Sequence, residues 1–305
     1  MATVMTVTGP VPAEQLGLTL MHEHLFLDLT KDTWTNNNFL SDPDLTLLEL
    51  HRYKDVGGVT LVDQTTRGLG QDPRAVKDMA ERSGLNIVLG AGWYREPYYE
   101  SYLYRWKTDR IAEQIVRDVS EGIDDTGVRA GIIGEIGAHF QWISPVEERV
   151  LRAAARAQKQ TGVTVTLHST RAPLGLDQLD ILQEEGVDPR RVVVGHAHSF
   201  PDHAYHAAVA QRGAFMTFDR MGITNEWERQ RNVRLICEIL KAGYVKHLML
   251  SQDVCYKSDL VAYGGVGYSF VPTGFSDILR AAGVTDEQLH QMLVENPRRA
   301  LTGED

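Results

Sequence analysis

An α/β fold, a (β/α)8 TIM barrel in a single domain over residues 1–305, is predicted by three observations in the sequence. A short run rich in Val, Ile and Leu recurs after a glycine that closes a helical stretch. An eighth such run opens the series without a helix before it. No Gly-rich phosphate fingerprint, linker, low-complexity tract or long charge run interrupts the alternation, which favours a closed barrel over an open doubly wound sheet.

Taken in order, strands are expected at residues 19–24, 59–63, 87–90, 128–133, 163–168, 192–196, 214–218 and 248–251. Gly57-Gly58, Gly84, Gly127, Gly162, Gly186, Gly213 and Gly243 precede the last seven. A left-handed turn past a helix end penalises a Cβ, and continuous apolar runs suit strands buried on both faces. Helix starts agree. Asp42-Pro43, Asp72-Pro73 and Ser144-Pro145 each set a capping side chain before a proline, and Ser144 with Glu147 has capping-box spacing. The Gly264, Gly265 and Gly267 cluster lacks the strand-to-helix context of a phosphate cradle.

Hydrophobic residues make up 43% and charged residues 24%, the balance of a chain that buries a core. Lys and Arg total 31 against 41 Asp and Glu, a formal charge of −10 that opposes attraction to phosphate backbones or anionic lipid. Nucleic acid and membranes are therefore excluded as partners, and a small-molecule substrate is expected. Cys237 and Cys255 form no spaced motif, residues 1–12 lack a signal-peptide pattern, and no run reaches the roughly 18 apolar residues of a membrane span. A reduced, cytoplasmic protein is the expectation.

In a barrel the reacting groups sit where strands end. The first run ends in His22 and His24, the fourth in Glu135, the fifth in His168, the sixth in His196 and the eighth in Asp253. Side chains two apart leave a strand on one face, so His22 and His24 point inward while Met21 and Glu23 point outward. A lone strand histidine reads as a core residue; four at strand ends point to metal. Glu135 lies among the apolar residues and glycines of 131–137, where a buried carboxylate needs a cation or a donor. An ion pair with Arg220 is the structural alternative to bridging two metals. Asp253 can ligate one ion and take a proton from metal-bound water. Two divalent ions, two carboxylates and a bridging hydroxide leave about one net positive charge, which suits hydrolysis.

Met21-His22-Glu23-His24, Gly92-Trp93-Tyr94, Gly195-His196, Asp219-Arg220-Met221-Gly222, Ser251-Gln252-Asp253 and Glu295-Asn296-Pro297, with His168, carry a resemblance over nearly the whole chain. The sequence resembles the phosphotriesterase-like group of the amidohydrolase superfamily. That resemblance implies a dimeric barrel with His22, His24 and Asp253 on a more buried ion and His168 and His196 on a more exposed one. A carboxylate and a hydroxide would bridge them. Many members bridge with a carbamylated lysine; Gly134-Glu135 replaces it here, as in the phosphotriesterase homology protein branch, which is not known for efficient phosphotriester hydrolysis. Zinc is the first choice of metal, and manganese, cobalt and iron suit the same donors.

Tyr94 and Arg220 resemble lactonase residues, although Met221 stands where lactonases carry an aromatic. Lactone opening by metal-activated hydroxide, with Asp253 as proton carrier and weak or no phosphotriesterase activity, is therefore the expected reaction. Tyr94 is equally read as a core residue bonded to a backbone carbonyl, and Arg220 as a partner of Asp219 or Glu135. Amide or phosphoester hydrolysis at the same centre is the alternative, and a ligand-binding barrel without turnover is a further one. His198, His139 and Cys255 fall near the mouth without an assigned role. His203 and His206 are expected in solvent, and residues 256–273 are expected to form the selectivity loop.

Overall fold

The computed structural model describes residues 2–222 and 225–304. Eight parallel strands follow one another around a sheet in chain order: β1 (Leu18–Glu23), β2 (Gly58–Asp63), β3 (Asn86–Ala91), β4 (Ile132–Gly137), β5 (Thr164–His168), β6 (Val192–Gly195), β7 (Phe215–Phe218) and β8 (Leu248–Leu250). Helices α1 (Pro43–Asp55), α2 (Pro73–Ser83), α3 (Thr108–Ser120), α4 (Pro145–Thr161), α5 (Leu174–Glu184), α6 (His203–Gln211) and α7 (Glu226–Lys241) fill the crossovers. This is the expected (β/α)8 barrel.

Local chemistry sets the helix ends. The Asp42 side chain accepts from the Asp44 and Leu45 amides, Asp72 accepts from Ala75, and Ser144 with Glu147 closes a full capping box. Gly84 and Gly162 end α2 and α4 at φ 70° and 74°, where a Cβ would be strained. One strand differs from expectation: β4 begins at Ile132 instead of residue 128. The Val128 carbonyl accepts from Ile123 and the Ala130 amide donates to Asp118, so the end of α3 holds this segment before strand pairing begins.

Two apolar layers make the core. Met21, Val62, Val88, Ile132, Val193 and Met249, each from a different strand, cluster with Val4, Leu16, Ala300 and Leu301. Residues drawn from around the sheet can meet only inside the barrel, and the chain ends close its floor. A second layer joins Leu20, Leu61 and Ile87 to Leu50, Met79 and Ile115 of the helices. Met21 therefore faces inward, contrary to strict alternation. The β1–β2 register shifts between Leu20 and Glu23, which frees His22 and His24 to reach the mouth as well.

Backbone and side-chain hydrogen bonds join the segment after β8 back to β1. The Asp253 amide donates to the His22 carbonyl at 3.0 Å, and the His22 amide donates to Ser251 Oγ at 2.9 Å. Glu23, also expected to face outward, is fully buried across this seam. It accepts from Ser251 Oγ, the Gln252 amide and the Val254 amide at 2.7, 2.7 and 3.1 Å. Burial pushes its carboxyl up to about 7, although the three donors pull the other way. Glu23→Ala removes an acceptor from two buried amides, at about 1–3 kcal/mol each. Urea unfolding should show a loss of about 2–5 kcal/mol, against less than about 0.5 kcal/mol for a control at exposed Phe140.

Candidate metal centre

An imidazole offers two nitrogens, and each of four buried histidines has one of them held from behind. His196 Nδ1 and His22 Nδ1 lie 2.6 and 3.2 Å from the two oxygens of Asp219. His24 Nδ1 lies 2.9 Å from Thr65 Oγ1, and His168 Nε2 lies 2.9 Å from the Tyr94 hydroxyl. The opposite nitrogens converge on Glu135. His22 Nε2 and His196 Nε2 stand 3.3 and 3.7 Å from Glu135 Oε2, and His24 Nε2 stands 3.7 Å from Oε1. His168 and His196 share a second cluster with Glu135 whose ligand atoms lie within 4.8 Å of one another.

Glu135 reaches this position because Gly134, at φ 129°, precedes it. A Cβ there would come within 2.2 Å of Thr166 Oγ1, which with Gln64 forms a polar floor under the site. His196, Arg220 and Asp253 adopt φ of 55°, 67° and 50° just past β6, β7 and β8. Left-handed backbone in a residue other than glycine costs about 1–3 kcal/mol and recurs where a site over-determines it. These turns bring the three side chains to the cavity at the barrel mouth.

Donor chemistry tests whether a metal fits. His22 Nε2, Glu135 Oε2 and His168 Nδ1 are buried without a hydrogen-bond partner, an arrangement that buried polar atoms seldom tolerate. Imidazole nitrogens and carboxylate oxygens are donors for a divalent cation, and the held outer nitrogens fix the tautomers. The residues fit. His22, His24 and Glu135 make one cluster, and Glu135, His168 and His196 make another, an overlapping, binuclear-type arrangement with Glu135 common to both. A third cluster of His22, His196 and Asp219 uses the outer nitrogens, so Asp219 orients two imidazoles from behind. The sequence reading gave Asp219 no such role, although it ends β7 just as the other candidates end their strands.

Asp253 Oδ1 lies 3.4 Å from His24 Nε2, and Oδ2 accepts from Arg220 Nη1 at 3.2 Å. Burial opposes its charge, but His24 and Arg220 hold its carboxyl at about 2. Arg220 thus pairs with Asp253, and its Nη1 also donates to Cys255 Sγ. Burial keeps the Cys255 thiol protonated by raising it well above its ordinary range. Tyr94 is buried, as a core residue would be, but its hydroxyl meets His168 instead of a backbone carbonyl. Burial opposes charge on Glu135 too, yet His22 and His168 hold it well below the usual carboxylate range. Asp219 outweighs burial at His196 and lifts it to about 9, whereas burial dominates at His168 and lowers it to about 3.

A cavity of about 910 Å³ opens over the centre, and Asp32, Arg95, His139, Phe140, Arg171 and Arg231 contribute to its wall. Of residues 256–273, Tyr256 alone lines it. The remainder of that loop turns toward α1 and β1: Tyr268 donates to the His24 carbonyl at 2.6 Å, and Val261 donates to Glu49. Most of it therefore braces the His24 backbone and α1 instead of lining the cavity. His198 lines the cavity 3.4 Å from Asp219 Oδ1, with burial lowering it to about 4. His139 sits at the exposed rim against Arg95. His203 is in solvent as expected, but His206 is buried and its Nε2 meets the Ala197 carbonyl at 2.9 Å.

The profile of the Phosphotriesterase family matches residues 2–301. This chain belongs to that family. It is 35% identical over 319 residues to the phosphotriesterase homology protein of Mycobacterium tuberculosis, covering 98% of this chain and 97% of the other. The N-acetyltaurine hydrolase of Xenopus tropicalis is 31% identical over 344 residues, with 98% and 97% covered. Among solved structures, the Escherichia coli phosphotriesterase homology protein, complexed with phosphate in its active site, superposes with a TM-score of 0.91 at 31% identity, covering 94% of this chain and 99% of that one. The lactonase Lmo2620 of Listeria monocytogenes gives a TM-score of 0.92 at 25% identity over 100% of both chains. The phosphotriesterase homology protein branch is the one to which the chain belongs, with Glu135 common to two donor clusters, and the chain is a metal-dependent hydrolase.

Cation uptake must displace protons. Against burial, Asp219 raises His196 to about 9, so His196 carries a proton at neutral pH before a cation binds, and Glu135 and Asp219 raise His22 in the same direction. Ligation needs the unprotonated nitrogen, so affinity falls as pH drops below about 9. Calorimetric zinc titrations at pH 7 in buffers of different ionisation heat should reveal net proton release; uptake without release contradicts this. Asp219→Asn should weaken metal binding about 10–100-fold by loosening both imidazoles.

Proposed function

We propose that this chain hydrolyses a carbonyl-centred bond in a small anionic molecule, with lactone opening as the leading reaction. Glu135 between two pairs of buried histidines, with Asp253 beside one pair, is the observation that carries the reading. In the proposal, His22, His24 and Asp253 would hold one divalent cation and His168 and His196 a second, with Glu135 available to both. Zinc is the first choice, with manganese, cobalt and iron as alternatives. A bound pair of such ions polarises a carbonyl oxygen and acidifies water.

The protein's own groups complete the chemistry. Asp253, ionised down to about 2, can accept a proton, and Arg220 keeps its carboxylate charged and in place. Tyr94 holds His168 by its outer nitrogen and also lines the cavity, where it would help to orient a lactone. Similarity to the Listeria lactonase supports lactones as substrates. A second reading, cleavage of an N-acyl bond next to an acidic group, draws on the N-acetyltaurine hydrolases and on the arginines around the cavity. Phosphate in the Escherichia coli relative's active site also favours an anionic substrate. Glu135 in place of a modified lysine supports weak or absent phosphotriester turnover. A cytoplasmic homodimer without nucleic-acid or membrane partners completes the proposal; the net charge of −10 and the two free cysteines support its setting.

A panel of lactones, N-acyl amino acids and sulfonates, and phosphotriesters, offered to zinc-, manganese- and cobalt-loaded protein, tests the proposal. Lactone turnover is the expected result, selective N-acyl cleavage would establish the second reading, and activity on neither carbonyl class would sink both. Asp253→Asn should lower kcat about 10²–10⁴-fold, with metal content measured alongside to separate lost ligation from lost proton transfer. Tyr94→Phe should cost about tenfold in metal affinity or kcat/KM.

A further inference from the structure

Four arginines reach the cavity, but two are already neutralised. Arg95 is paired with Asp32, and Arg220 with Asp253. Arg171 and Arg231 have no carboxylate partner among the described residues. The exposed Arg171 follows His168 by three positions, at the end of β5. Half-buried Arg231 lies in the second turn of α7, which follows β7. Since β5, β6 and β7 are neighbours in the barrel, the two unneutralised cations occupy one side of the mouth. The neutralised Arg95–Asp32 pair comes from the loops after β3 and β1, away from that side.

The Arg171 backbone and the Arg231 side chain are both held in place. Arg171 takes φ 65°, and its amide donates to Ser199 Oγ at 3.1 Å, while that hydroxyl donates to the Ser169 carbonyl, lacing the loops after β5 and β6. A left-handed conformation in an arginine is strained, and here a specific contact keeps it. Arg231 lies 5.5 Å over the Trp227 ring, and its Nη2 donates to Asn232 Oδ1 at 3.2 Å. These contacts orient Arg231 without removing its charge. Glu228, on the same side, accepts from Asn225 Nδ2 at 3.1 Å and forms no ion pair with either arginine.

We infer that Arg171 and Arg231 form an anion-recognition subsite that receives a carboxylate, sulfonate or phosphate at the end of the substrate remote from the scissile bond. The inference rests on the proposed hydrolysis of a small anionic molecule, and it assigns that preference to two residues outside the metal cluster. A planar guanidinium binds such oxyanions through paired N–H donors, which a lysine cannot reproduce. The anionic tail then lies toward β5–β7 and places the carbonyl over Glu135.

Straight-chain dicarboxylates from succinate to pimelate, titrated calorimetrically into zinc-loaded protein, test this without turnover, with monocarboxylates of equal length as controls. One carboxylate meets the metal centre and the second samples the subsite. At the matching length the dicarboxylate should bind about tenfold or more tightly than its control. R171Q with R231Q should bring that ratio to within about twofold of unity while leaving monocarboxylate binding unchanged. R171K and R231K should recover it only in part. A ratio near unity at every length in the unaltered protein, or a high ratio that survives the double substitution, overturns the inference. Failure of every hydrolysis assay would instead sink the proposed reaction, because the titration reads binding alone.

Discussion

A nearly buried carboxylate with four imidazoles facing it is the constraint on which the rest of this structure depends. Glu135 is buried, and its charge is tolerable only because donors or cations surround it. The outer nitrogens of the histidines are already committed to Asp219, Thr65 and Tyr94, so the inner ones have one direction left. Each supporting contact removes a rotamer, and together they assemble a centre before any ligand arrives.

The barrel carries that centre by holding distant segments in a fixed ring. Between β8 and β1 no regular ladder forms among the described residues, and side chains with one backbone hydrogen bond close the seam. Glu23 and Ser251 span that seam, and the same crossing sets the His22 and Asp253 backbones one hydrogen bond apart. Structural closure and the placement of the candidate ligands therefore share residues. Tyr268 extends this coupling by tying the loop after β8 to the His24 carbonyl. The mouth is divided electrically as well, with the Arg95–Asp32 pair on the side of β1 and β3 and Arg171 and Arg231 on the side of β5–β7.

Most of the fold was legible because its signals are local. Caps at Asp42, Asp72 and Ser144, and glycines past helix ends, depend on backbone needs within a few residues. Strand-end histidines and acids were legible too, because barrel geometry gives a strand's last residue a common destination. Alternation failed at β1, where a register shift turned Met21 inward and Glu23 into the seam, since pairing with another strand decides such a shift. The role of residues 256–273 failed for a similar reason: composition does not say which wall a loop will cover.

By itself the sequence determined the eight strand-and-helix units, the acidic surface and the set of metal-capable side chains, because propensity, capping and residue chemistry act over short distances. Only the tertiary structure decided which nitrogen of each histidine faces the centre, that Asp219 stands behind two of them, and that Arg220 belongs to Asp253. It also decided that His206 is core and that Tyr94 meets His168. Those outcomes depend on side chains far apart in the chain competing for the same partner, and such competition is settled only when the strands are brought together.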